Sequence, residues 1–71
     1  MLGLVDLNAE LHSASAVPGG IEFAYRSSAR AMAAFDTPPA SIQIDGAEAH
    51  PVMLGKVVML PRGQHVVTAL K

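Results

Sequence analysis

The chain has 71 residues, of which 51% are hydrophobic and 15% charged, with a formal net charge of -1 and no cysteine. That length allows one domain with a thin core, since a chain of this size buries only about 60% of the surface its unfolded form exposes. Disulfides and thiolate metal sites are excluded, which leaves self-association or a parent polypeptide as the usual support for so small a fold.

The charged fraction is well below the typical value of about 25%, which points to apolar surface facing a partner. Arg26, Arg30, Lys56, Arg62 and Lys71 are scattered along the chain. Phosphate backbones are held by clustered Lys and Arg, so nucleic acid is not an expected partner. No apolar run reaches the roughly 18 residues of a membrane span, and the start "MLGLVDLNAE" lacks the basic and apolar regions of a signal peptide. The chain is equally compatible with being a piece of a longer exported protein, whose signal a fragment would not carry.

In chain order, Leu4 to His12 places Val5, Leu7, Ala9 and Leu11 on one side and Asp6, Asn8, Glu10 and His12 on the other. This period of two predicts a strand with one buried face. Val17-Pro18-Gly19-Gly20 supplies a turn, with proline presetting its own φ and glycine free to take the positive φ that follows. Ile21 to Arg26 resumes the alternation, so a hairpin is expected about this turn.

Ala29 to Phe35 is ambiguous. Ala, Arg and Met favour a helix that Ser27 or Ser28 would cap. Against this, the segment is about two turns long and runs into Asp36-Thr37-Pro38-Pro39. The strand is preferred, with Ala29, Ala31, Ala33 and Phe35 facing one way and Arg30, Met32 and Ala34 the other. Its small side chains suit close approach of two sheets.

The double proline cannot sit inside a ladder and marks a corner where the chain crosses between sheets. Ser41 to Ile44 then forms a strand ending at Asp45-Gly46, a strong hairpin pair. Ala47 to Gly55 reads as a short irregular strand or loop, interrupted by Pro51. Lys56 to Leu60 and Gln64 to Lys71 are expected to form a second hairpin about Pro61-Arg62-Gly63. Both arms are apolar on both faces, which places them centrally or against a partner. The sum is six or seven short strands, the pattern of an all-β, small antiparallel sandwich filling residues 1–71 as a single module.

The order "PPASIQIDG", a loop, then "VVMLPRGQHVV", preceded by the strand pair in "GGIEFAYRSSARAMAAFD", resembles PEGA-like domains and the C-terminal β-sandwich accessory domains of bacterial glycoside hydrolases. The chain departs from PEGA domains in lacking a clear Gly-x-x-Pro after its Asp-Gly. The resemblance implies a non-catalytic module packed on the catalytic domain of an exported or envelope enzyme, and implies no site residues.

For chemistry, His12, Asp45, Glu48, His50 and His65 are the only metal candidates. Zinc needs three or four such ligands converging at about 2 Å, and no pair here has a recognised ligand spacing. These residues read better as solvent-facing, with His65 packed beside its turn. No metal or cofactor is expected. Asp36, Asp45 and Glu48 supply carboxylates for glycosidic chemistry, yet a sandwich of this length lacks loops to wall a cleft. No Gly-x-Ser-x-Gly nucleophile elbow is present.

Sugar binding is the main alternative function. It needs aromatic platforms, and the chain offers only Phe23, Tyr25 and Phe35. Tyr25 with Arg26 at a strand end, or Arg62 at a turn tip, are the candidate glycan contacts. Core packing of Tyr25 with a wet hydroxyl competes with that role. The expected partners are a parent catalytic domain or further copies of the chain, with polysaccharide as the alternative and an independent homodimer as the third.

Overall fold

A computed structural model describes residues 2–71. Among these the chain forms nine strands and no helix: β1 (Leu4–Leu7), β2 (Glu10–Val17), β3 (Gly20–Ser27), β4 (Ala31–Phe35), β5 (Ser41–Ile44), β6 (Ala47–Ala49), β7 (Met53–Leu54), β8 (Val57–Leu60) and β9 (Gly63–Leu70). They make two antiparallel sheets, a four-stranded one in the order β1-β4-β8-β7 and a five-stranded one in the order β2-β3-β9-β5-β6. The all-β expectation holds. The strand number exceeds six or seven because Leu4 to His12 is two strands and Ala47 to Leu54 contributes two short ones.

The break in the first segment falls at Asn8 and Ala9. Asn8 Oδ1 accepts the amide of Met32, and the Asn8 amide donates to the Met32 carbonyl. The chain thus leaves the four-stranded sheet there, and β2 joins the other sheet. The expected hairpin about Pro18-Gly19 is present, with Gly19 at a φ of 83°, but its first arm is Glu10–Val17 rather than the residues before His12. Gly20, paired with Leu70, allows a tight backbone approach: a Cβ there would lie 1.9 Å from the Ala69 carbonyl oxygen.

Ala31 to Phe35 is a strand, and its alternation is the expected one: Ala31, Ala33 and Phe35 are buried while Met32 is exposed. Two turns of isolated helix have little intrinsic stability, whereas as a strand the segment buries its alanines and Phe35 between sheets. The chain then crosses at Pro38-Pro39 from β4 to β5 in the other sheet, as the prolines require. Asp45 and Gly46, both at positive φ (53° and 83°), close the two-residue β5–β6 hairpin.

The second expected hairpin is not formed. β8 pairs with β4 and β7, β9 pairs with β3 and β5, and Pro61-Arg62 is where the chain crosses from the four-stranded sheet to the five-stranded one. A proline-glycine turn serves a hairpin and an inter-sheet arch equally well, and side-chain anchoring decides between them. The Tyr25 hydroxyl donates to the Pro61 carbonyl at 2.6 Å, and His65 Nε2 to the Arg62 carbonyl at 2.9 Å. The core lies between the sheets, where Phe23 meets Phe35 at a centroid distance of 6.2 Å and Val58, Leu60 and Val67 complete the filling. Ala31, Ala33 and Ala69 let the backbones close up around these larger side chains.

Candidate functional site

Two features stand out beyond the core: a histidine–carboxylate cluster at the β8–β9 crossing and an apolar outer sheet face.

In the cluster, Asp45 sits in the left-handed region at the tip of the β5–β6 turn, a conformation Asp tolerates better than most residues. Its amide donates to the Val66 carbonyl, its Oδ1 accepts the Val66 amide at 3.0 Å, and its Oδ2 accepts His65 Nδ1 at 2.6 Å. The other ring nitrogen of His65 faces the Arg62 carbonyl. Carboxylate and carbonyl oxygens only accept, so both contacts are satisfied together only by the imidazolium. The bond to Asp45, with that to Arg62, accordingly raises the pKa of His65 above its ordinary value. The same contact, with the Val66 amide, lowers that of Asp45. Below this pair, burial, with the Asp45 charge adding to it, pushes the Tyr25 phenol up to about 12, so that it stays protonated as the donor to Pro61.

A His–Asp pair is two parts of a hydrolytic triad, but general-base chemistry needs a free ring nitrogen within reach of a nucleophile. Here Nε2 is occupied by a backbone carbonyl. The cluster is a clamp that fastens the β5–β6 turn to β9 and to the crossing.

The other candidates are separated by the fold. Tyr25 is 0% exposed, so its ring lies in the core, as the competing reading had it, and offers no stacking face at the surface. Arg26, its neighbour in β3, points to the opposite face of the sheet, across from Glu10 and Gln64. Arg62 lies exposed at the crossing corner. The three form no common platform. His12 donates to Glu10 at 2.7 Å on β2, and His50 lies 3.8 Å from Glu48 beyond β6. Among the described residues no three metal-ligating side chains converge. Asp36 follows β4 in the four-stranded sheet, where its carboxylate takes the Gly3 amide, whereas Asp45 and Glu48 belong to the β5–β6 hairpin.

The two outer faces differ in character. On the five-stranded sheet, Ser15, Glu22, Thr68, Gln43 and Glu48 form one cross-strand row, and Glu10, Arg26 and Gln64 another. On the four-stranded sheet, pairing sets Asp6, Ala34, Val57 and Leu54 in one row. The next row is Asn8, Met32, Met59 and Val52. Beyond the β1 edge these rows carry no polar side chain, and Leu54, Val52 and Met32 are 69%, 63% and 44% exposed. Single exposed apolar residues are ordinary, but here several lie together on one face. The sequence signal for it was the run Val57 to Leu60, which offers no polar alternate. The His65–Asp45 clamp had no sequence signal, its partners being 20 positions apart.

Compared with protein-family models, curated proteins and solved structures, the chain matches none of them.

Proposed function

We propose that this chain is a non-catalytic docking module that acts through the outer face of its four-stranded sheet. The observation that carries the reading is the contrast between the outer faces: one has polar and charged rows on either side of a central row of Ser13, Ala24 and the exposed Val66, the other carries Ala34, Met32, Leu54, Val57, Met59 and Val52 together. A sheet apolar on both sides is the kind that protein covers on both sides. The occupation of both His65 ring nitrogens leaves the His65–Asp45 pair no free general base, which supports a non-catalytic reading.

The finer proposal, an accessory role in a bacterial polysaccharide-active enzyme, rests only on the layout of turns and strands from Gly19 to Val67. A role in sugar binding is disfavoured by the burial of Phe23, Tyr25 and Phe35.

Two measurements test the reading. With the chain dilute, an anilinonaphthalene sulfonate dye should fluoresce on the apolar face and lose that signal in Met32→Lys; no Met32-dependent signal would remove the docking face. In native gels containing soluble polysaccharides the mobility should match that in plain gels. Retardation relieved by Arg26→Ala or Arg62→Ala would make the chain a carbohydrate-binding module instead.

A further inference from the structure

We infer that the occupant of this face is a second copy of the chain, packed face to face about a two-fold axis along the row Leu7–Ala33–Val58–Met53. This rests on the docking reading above and adds the partner and its geometry.

The four residues of that row are mutual neighbours across the sheet. The outward-facing residues lie in the rows on either side of it. A two-fold axis in the interface plane, running across the strands along the central row, keeps each strand over its own copy and exchanges the two flanking rows. Met32 then meets Ala34 of the other copy, Met59 meets Val57, and Val52 meets Leu54. The longest side chains on β4 and β8 fall against shorter ones, the large-against-small alternation that interdigitating layers require. At the β1 edge Asp6 meets Asn8. Asn8 spends its Oδ1 on Met32 and retains its amide hydrogens as donors.

Charge follows the same symmetry. Arg30 and Asp36 lie immediately outside the two ends of β4, both exposed, both at positions of the Met32–Ala34 parity. Each is three residues from Ala33, so the axis that sets Met32 on Ala34 also sets Arg30 on Asp36, twice. An uncharged centre closed at both ends by opposite charges is self-complementary, as an isologous interface must be. The alternative axis, along the strands, would put Asp6 and Asn8 over Leu54 and Val52 and leave the charges unmatched. Facing sheets pack about 10 Å apart with strands turned by about 30°, so the match is closest over the central strands β4 and β8.

Sedimentation velocity of the 71-residue chain across micromolar to millimolar concentrations tests this. The expected result is a monomer–dimer equilibrium abolished by Met32→Asp. Arg30→Asp alone should weaken the dimer about tenfold, as should Asp36→Lys alone, since each replaces two rim pairs by like charges. Mixing those two variants should restore dimer, because in the mixed pair both rim contacts are again of opposite sign. Circular dichroism of each variant confirms folding, which matters for Asp36→Lys because it also loses the Gly3 bond. A chain that stays monomeric throughout while still binding the dye overturns the second copy as occupant and leaves the docking face for another partner. A dimer indifferent to Met32→Asp, or no recovery on mixing folded variants, also overturns the geometry.

Discussion

The Tyr25 hydroxyl donates to the Pro61 carbonyl at 2.6 Å, tying β3 of the five-stranded sheet to the corner at which the chain leaves the four-stranded one. The ring is fully buried beside Phe23, and His65 lies 5.9 Å from it by ring centroids. One side chain thus fills core volume and holds the β8–β9 crossing.

Tyr25→Phe separates these two duties. The ring volume stays and the Pro61 carbonyl loses its partner, so the loss should be about 1 kcal/mol in a denaturant titration. Tyr25→Ala also empties the core and should cost about 3–5 kcal/mol. A chain of this size has roughly 4–11 kcal/mol in all, at about 0.05–0.15 per residue, so the alanine variant should lose about half of its stability, read as a lowered denaturation midpoint by circular dichroism. Equal losses for the two variants would show that the hydroxyl, not the ring, dominates.

Stability should depend on pH through the Asp45–His65 clamp. The folded pKa of His65 is raised, so its contribution is complete below the ordinary histidine value of about 6.5 and is lost as pH rises through the folded value. That of Asp45 is depressed, so its contribution is complete above the ordinary aspartate value of about 4 and is lost as pH falls through the folded value. Glu10, held down by His12, and Asp36, held down by the Gly3 amide, add to the acid limb. Melting temperature should therefore peak between those two ordinary values. In Asp45→Asn the alkaline decline should shrink, and the His65 titration followed by NMR should move back toward its ordinary value.

Gly20→Ala should be among the most damaging small changes in the chain. Its Cβ would meet the Ala69 carbonyl 1.9 Å away, in the ladder that joins β3 to β9. That contact is with backbone and cannot be relieved by a rotamer change, so a loss of about 3 kcal/mol is expected in chemical denaturation. A loss below about 1 kcal/mol would mean that the two strands part easily.

Leucine truncations should report the two sides of one sheet. Leu60 is 2% exposed and Leu54 is 69% exposed. Leu60→Ala should cost about 2–5 kcal/mol, and Leu54→Ala less than about 0.5 kcal/mol in the dilute chain. If concentrating the protein makes Leu54→Ala costly, the outer face is buried by association.

Much of the fold was legible because alternation and turn chemistry are local. Phe23 and Tyr25, or Ala31 and Ala33, advertise an inward face by period two alone. Pro38-Pro39 and Asp45-Gly46 act through their own φ preferences, and each did in the structure what those preferences demand. The Pro61-Arg62-Gly63 corner shows where local reading ends: the same residues serve a hairpin or an arch, and the choice went to bonds from Tyr25 and His65, 36 and 3 residues from their acceptors.

By itself the sequence determined that this is an all-β chain without disulfides, with one double-proline crossing and a glycine-closed turn at Asp45-Gly46, since those properties follow from each residue's own backbone preferences and side-chain chemistry. The tertiary structure alone decided which strands are neighbours, that Asp45 reaches His65, and that the apolar face of Met32 and Leu54 is left open. These depend on which distant segments pair, and the same alternating pattern is satisfied by more than one pairing until the long-range contacts select it.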